Sequence, residues 1–210
     1  MSKVEVFQQQ PSGAVAAESP FHFSRQRNPL APAKGEAGVI MAERPFLTHL
    51  ILRGTPEVLL GGVRNVTGLT LPQTPCSMNS KEDKSLQWLA PDEWLLILPP
   101  GSEFSTEKAL RGELGDGSYA IVNVSGGQTV LELSGPNARE VLMKSTSCDL
   151  HPRTFPEGRG VSTVFAKTGA IIRRPDAQRW ELVIRRSFAD YLYRWLLSAG
   201  AEYGITTQER

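Results

Sequence analysis

The sequence predicts an α+β fold built from two tandem β-α-β-β-α units, and three observations carry that prediction. A strand–turn–helix stretch from Thr129 to Met143 has an echo earlier in the chain. Each copy is followed by two or more strands and then a helix. The apolar spacing switches between a period of two and one of 3.6 as those elements require. In the later copy Leu131 and Leu133 alternate with Glu132 and Ser134, the pattern of a half-buried strand. Ser134-Gly135-Pro136 follows and puts Pro136 at the expected first helical position, where its φ is already set and no N–H is needed. Ala138, Val141 and Leu142 then share one helical face.

The earlier copy is Leu52-Arg53-Gly54-Thr55-Pro56-Glu57-Val58-Leu59, with Thr55 as helix cap and Pro56 at its first position. Both copies run on to a Leu-Pro or Leu-x-Pro exit, at Leu71-Pro72 and at Leu150-His151-Pro152. The Gly-to-Pro spacings are 18 and 17 residues, and Gly54 lies 81 residues before Gly135. Gly61-Gly62 is expected to make the second half of the first helix irregular, since each glycine costs roughly 1 kcal/mol relative to alanine there.

The remaining elements follow in order. Leu47 to Arg53 reads as a strand, and order is expected to begin at Phe46. Ser85–Leu89 and Trp94–Leu98 read as strands around the turn Ala90-Pro91-Asp92-Glu93, whose Pro-Asp pair is ordinary turn chemistry. A helix is expected from near Ser105 to Gly115, and Tyr119–Val124 is a strand joining the two copies. After the second copy come Val161–Phe165, Ala170–Ile172 and Trp180–Ile184. A closing helix has a Ser187/Asp190 capping box, an apolar stripe through Phe188, Tyr191, Leu192, Trp195, Leu196 and Ala199, and Gly200 as C-cap. Two such units match the split β-α-β pattern of ferredoxin-like folds. The expected organisation is an N-terminal arm over 1–45, a first half over 46–125, a second half over 126–204 and a tail over 205–210.

Residues 1 to about 45 differ in composition. Gln8-Gln9-Gln10-Pro11-Ser12-Gly13 and then Pro20, Pro29, Pro32 and Gly35 interrupt any period. Two readings stand side by side: a flexible tail, or an arm that orders on a partner through Phe21 and Phe23.

With 40% hydrophobic and 21% charged residues over 210 positions, the chain has ample length for a core, and a net charge of +1 gives no basic field for nucleic acid. Between His151 and Trp195 nine cations (Arg153, Arg159, Lys167, Arg173, Arg174, Arg179, Arg185, Arg186 and Arg194) face only Glu157, Asp176, Glu181 and Asp190. This reads as a solvated basic face or a docking surface for an acidic partner. Cys76 and Cys148 form no CxxC and read as reduced thiols. No apolar leader and no run long enough to span a bilayer is visible, so a cytoplasmic protein is expected and the Asn65 and Asn123 sequons carry no glycan.

No catalytic constellation stands out. His22, His49 and His151 are far apart and neither cysteine lies at metal-ligand spacing from one, so no metal residue is assigned. Ser134-Gly135-Pro136-Asn137 with Arg139 could offer backbone N–H groups to an anion, but Pro136 removes one donor and a plain connection is the preferred reading. No G-x-G-x-x-G or P-loop occurs. Asp92-Glu93 is read as solvent-facing, and Trp88, Trp94, Trp180 and Trp195 as packing residues. Catalytic, cofactor-binding and metal residues are therefore all set at none.

Four segments together carry a resemblance: Leu89-Ala90-Pro91-Asp92-Glu93-Trp94-Leu95-Leu96, Leu133 to Leu142, Asp149-Leu150-His151-Pro152-Arg153, and Arg185 to Leu192. In order and spacing they resemble the gamma subunits of heterotetrameric sarcosine oxidase, from about Pro45 to Gly204. Those proteins belong with the aminomethyltransferase-like, folate-binding-fold superfamily, whose tandem ferredoxin-like halves agree with the repeat. The resemblance implies a bacterial complex that oxidatively demethylates sarcosine to glycine, reduces oxygen to hydrogen peroxide and passes the one-carbon unit to tetrahydrofolate. It also implies that FAD, covalent FMN, NAD and the folate site belong to the alpha and beta subunits, that the delta subunit binds zinc, and that a gamma chain holds no cofactor and docks chiefly on alpha. The rival is a free-standing folate binder of the same superfamily. Its Lys-Gly-Cys-Tyr-x-Gly-Gln segment has no counterpart in His151 to Gly160 here.

Overall fold

The structure, a computed structural model, describes residues 18–28 and 37–208. The first sheet contains β2 (Thr48–Gly54), β3 (Met78–Lys81), β4 (Lys84–Ala90), β5 (Glu93–Leu98) and β6 (Tyr119–Asn123), in the order β3-β4-β5-β2-β6. The second contains β1 (Val39–Arg44), β7 (Gln128–Ser134), β8 (Arg159–Phe165), β9 (Thr168–Arg174), β10 (Arg179–Arg185) and β11 (Ile205–Gln208), in the order β11-β1-β7-β10-β9-β8. All neighbours are antiparallel except β1 and β11. Without β11 the two orders correspond position by position, with β2 matching β7 and β6 matching β1.

Each sheet buries two faces, and alternation decides which side chain goes where. In the first sheet Leu50, Leu52, Trp94 and Leu96 turn toward the helices α2 (Pro56–Thr67) and α3 (Glu103–Leu114), meeting Leu59, Val63, Leu110 and Leu114. In the second, Leu131, Leu133, Leu182 and Ile172 meet Ala138, Val141 and Leu142 of α4 (Ala138–Met143). They also meet Leu192, Tyr193 and Leu196 of α5 (Ala189–Gly200). The opposite faces meet each other, with Leu95 and Ile97 packed against Val130 and Val183. The layers therefore run helix, sheet, sheet, helix.

Several sequence expectations shift. Order was expected to start at Phe46, yet α1 (His22–Arg27) and β1 belong to the second layer pair, so the 1–45 arm is in part built into the body. Val39 and Met41 are buried on the helix side, and Phe21 is buried with its ring centroid 5.8 Å from that of Tyr193. Phe21 thus anchors on its own chain, while Phe23 stays exposed and packs against His22. The stretches at Gln8–Gly13 and around Pro29 and Pro32 lie outside the described residues. The 205–210 tail includes β11, where Ile205 fills the space beside Gly200. β3 had no sequence signal.

The helix ends differ too. Thr55 and Pro56 take the cap and first positions, though Thr55 makes no side-chain cap bond. The helix runs unbroken through Gly61-Gly62 because Gly62 lies against α3: a Cβ there would sit 2.8 Å from Leu114 Cδ2. Pro136 is not the first helical residue. Gly135 turns with φ +101, Asn137 donates its backbone N–H to Gly38 O, and α4 begins only at Ala138. Ser187 and Asp190 form no capping box; a 3-10 turn over Arg186–Phe188 precedes α5, and Asp190 accepts instead from Ser24 Oγ at 3.0 Å. The C-cap of α5 is Ala201.

The two glycines of α2 should therefore respond in opposite directions. Gly62→Val should lower stability by about 1–3 kcal/mol through overpacking on α3. Gly61→Ala, which meets nothing within 4 Å, should raise it by up to about 1 kcal/mol. Urea unfolding of the two variants measures both.

Candidate functional site

The inter-sheet space holds the densest set of buried charges. Ala42, Glu132, Glu181 and Arg173 are successive cross-strand neighbours on β1, β7, β10 and β9, all on the face turned to the first sheet. Glu132, Glu181 and Arg173 are buried. Arg173 Nη2 lies 2.8 Å from Glu181 Oε2 and donates at 2.8 Å to Ser85 Oγ on β4 of the other sheet. Arg44 Nη1 reaches Glu181 Oε1 at 3.2 Å, and Arg179 Nη1 lies 3.7 Å from Glu132 Oε2. Burial pushes the Arg173 guanidinium below its ordinary range while Glu181 beside it opposes that shift. Such a row persists because each charge faces an opposite one; removing one partner would strand the other in a poorly solvated space.

Two more groups bind the sheets together. Gln87 on β4 donates at 3.0 Å to Gly160 O on β8, and any side chain at Gly160 would collide with the Gln87 amide. His49 on β2 is fully buried, with Nδ1 2.9 Å from Gln128 Oε1. Burial lowers its pKa to about 4, the Gln128 bond opposes that, and Arg173 adds to it. A neutral imidazole fits this position, and the adjoining Ser125 hydroxyl bonds the His49 backbone.

The strand–turn–helix at Ser134 borders a cleft of about 550 Å³ lined by Pro136, Arg139, Glu140, Arg174 and Trp180. Arg139 Nη2 donates to Glu140 Oε1 at 3.1 Å, and Arg174 Nη1 to Phe155 O at 2.9 Å. Trp180 is enclosed by the Arg174 guanidinium, 5.4 Å from its ring centroid, and by Phe155 at 5.4 Å. Arg139 Nε, Glu140 Oε2 and Arg174 Nε have no hydrogen-bond partner among the described residues. Nothing here resembles a nucleophile beside a base.

The other sequence candidates disperse. His22 and His151 sit at opposite reaches of the chain in local contacts with Gln26 and Arg153. Cys76 and Cys148 are free thiols, and burial raises the Cys148 pKa. Asp92 and Glu93 form exposed pairs with Arg53. Trp94 and Trp180 are core residues, with Trp88 and Trp195 packed at its margins. Among the described residues no group of three His, Cys, Asp or Glu could hold a metal ion, and no helix is long and apolar enough to cross a membrane. The charged row was missed because Glu132 alternates with apolar residues, which reads as a solvent-facing side, and because Arg173 and Glu181 were counted into a basic stretch read as a solvated face or a docking surface.

Residues 55–202 match the family described as sarcosine oxidase, gamma subunit. The sarcosine oxidase subunit gamma of Corynebacterium sp. (strain P-1) is 36% identical over 179 residues, spanning 82% of this chain and 86% of that protein. The chain belongs to the sarcosine oxidase gamma-subunit family. A chain of the heterotetrameric sarcosine oxidase from Corynebacterium sp. U-96, solved in complex with pyrrole 2-carboxylate, superposes on the gamma-family chain with a TM-score of 0.80. Identity is 30%, covering 90% of this chain and 97% of that one. The glycine cleavage aminomethyltransferase T of Bartonella henselae shares the fold, with a TM-score of 0.61 at 15% identity, over 90% of this chain and 58% of that one. The expected aminomethyltransferase-like fold is thereby shown for this gamma-family protein.

The buried row generates two expectations. Glu181→Ala, which leaves Arg173 unpaired, should cost about 3–5 kcal/mol in urea unfolding, and Arg173→Met combined with Glu181→Leu should recover most of it. Unfolded chains bind a proton at His49 near pH 6.5, whereas the folded chain resists until about 4. Protons in that window therefore favour unfolding. Stability present above pH 6.5 should fall by roughly 3 kcal/mol on the way to pH 4, and His49→Gln should flatten that part of the profile.

Proposed function

We propose that this chain is a non-catalytic gamma subunit of a heterotetrameric sarcosine oxidase. In this reading it supports oxidative demethylation of sarcosine to glycine, with hydrogen peroxide and 5,10-methylenetetrahydrofolate formed by the complex. The observation that carries it is the near end-to-end correspondence with a chain of a heterotetrameric sarcosine oxidase, at a TM-score of 0.80 over 97% of that chain. FAD, FMN, NAD, tetrahydrofolate and zinc are assigned to partner subunits. Alpha is the main contact, beta and delta complete the assembly, and the location is cytoplasmic. No residue of this chain is given a catalytic, cofactor or metal role. The chain is read as two halves, 46–125 and 126–204, that keep an ancestral folate-type platform with its pocket closed.

The interior chemistry supports that closure. A pteridine needs a carboxylate free to accept from its amino edge and an aromatic face to lie on. Glu132 and Glu181 face Arg179, Arg173 and Arg44, and Trp180, on the helix side of the same strand, packs against Arg174 and Phe155. These residues do not fit the group.

Purification of a tagged chain from its native host tests the reading. Flavin absorbance and a roughly hundred-kilodalton partner should accompany it. A colourless, solitary protein would instead favour a free-standing folate binder.

A further inference from the structure

We infer that the open edge of β8 and the groove beside it form a docking site for an extended, acidic segment of a neighbouring polypeptide, which adds as a short strand next to Ser162–Val164. The inference rests on the subunit reading above and names the surface through which one partner would hold this chain.

Register decides which backbone groups of β8 point away from β9. Phe165 and Thr168 close the β8–β9 hairpin, so Arg159, Val161, Thr163 and Phe165 direct their backbone groups to β9. Gly160, Ser162 and Val164 direct theirs outward. At Gly160 that outward N–H is met by Cys76 O, and Ser77 forms a bridge with Arg159. The chain's own loop thus already adds a short strand piece to the start of this edge. At the other end Ser145 O accepts the Ala166 N–H, and between these two contacts the outward backbone groups of Ser162 and Val164 have no partner among the described residues. An unpaired edge of this kind is a template for strand addition.

The face beside this edge is apolar and basic. Val164 is 60% exposed and Phe188 39%, both large apolar residues at the surface. Val164 shares its face with Gly169, next to which lies a groove of about 510 Å³ lined by Ile171, Val183 and Phe188. Higher on the same face Ile171 and Val183 pack under the first sheet, so the groove is the uncovered end of a core layer. Its charged lining is Lys167 and Arg185, with no acidic residue. Neither cation, nor the adjacent exposed Arg186, forms an ion pair among the described residues. A strand beside Val164 that lays one apolar side chain in the groove and carries carboxylates over Lys167 and Arg185 would satisfy all three features at once.

Hydrogen–deuterium exchange on the complex purified from the native host tests this. Ser162 and Val164 amides should exchange at least tenfold more slowly than their intrinsic rates. Exchange at intrinsic rates in an intact complex would overturn the inference and leave the subunit reading standing. Three variants then supply the assembly readout: Ser162→Pro, which removes one outward N–H without touching the β9 ladder, Val164→Asp, and Lys167→Glu with Arg185→Glu. Each should cut flavoprotein recovered with the tagged chain by at least tenfold, and the wild-type yield should fall with added salt, while Arg64→Glu on α2 should recover as wild type does. Undiminished recovery in all three variants overturns the inference. So does light scattering that shows the edge pairing two copies of this chain, broken by the same variants with the complex intact. A wild-type chain that brings no flavoprotein would remove the subunit reading and this inference with it.

Discussion

The ion pair of Arg173 and Glu181 is the constraint on which the arrangement of the two sheets depends. Taking both groups out of water costs several kcal/mol for each, and their attraction offsets this only with good geometry and further partners. The register supplies both. Glu181 stands directly opposite Arg173 on neighbouring strands and receives Arg44 from β1, and Arg173 reaches across to Ser85 of the other sheet. A relative slip of the sheets would separate Arg173 from Ser85, and a one-residue slip of β9 on β10 would turn the guanidinium to the helix side. Apolar packing between the sheets is modest, so these polar contacts specify how the layers meet while Leu95, Ile97, Val130 and Val183 supply the burial.

That same filling connects fold to role. The corresponding strand orders of the two sheets leave a central interface, and here it is occupied by the protein's own side chains. A molecule whose interior charges are neutralised by one another presents its chemistry at edges and surfaces. β1 strengthens this: it precedes the first sheet in sequence but completes the second, beside β7, while β6 takes the matching place beside β2. The second sheet is not complete without β1, which precedes the whole of the first sheet in sequence, so the two layers are expected to hold as one body.

Much of the architecture was legible in the sequence because period-two alternation marked β2 and β7, apolar runs marked β5 and β10, and the echo of Leu52–Leu59 marked the repeat. What stayed hidden has physical causes. Val39-Ile40-Met41-Ala42 is a continuous apolar run after a Pro- and Gly-rich stretch, and only the β7 edge makes it a strand. β11 is four residues with two threonines and depends on β1 beside it. Helix starts were misplaced where a turn took over: Gly135 at φ +101 delays α4 past Pro136, and Asp190 prefers Ser24 of α1 to a cap. The inter-sheet charges were the largest omission. An alternating Glu or Arg reads as water-facing unless a second sheet covers it, and covering is a long-range fact that no local period records. The family resemblance, by contrast, rested on four separated segments and was fully readable.

The space between the two sheets is filled by its own ion pairs and is expected to hold no folate. Titration calorimetry of the purified chain with tetrahydrofolate tests it most directly. Heats should be no larger than dilution across the titration. Saturable, tight binding, lost when Glu132 or Trp180 is substituted in an otherwise folded chain, would contradict it.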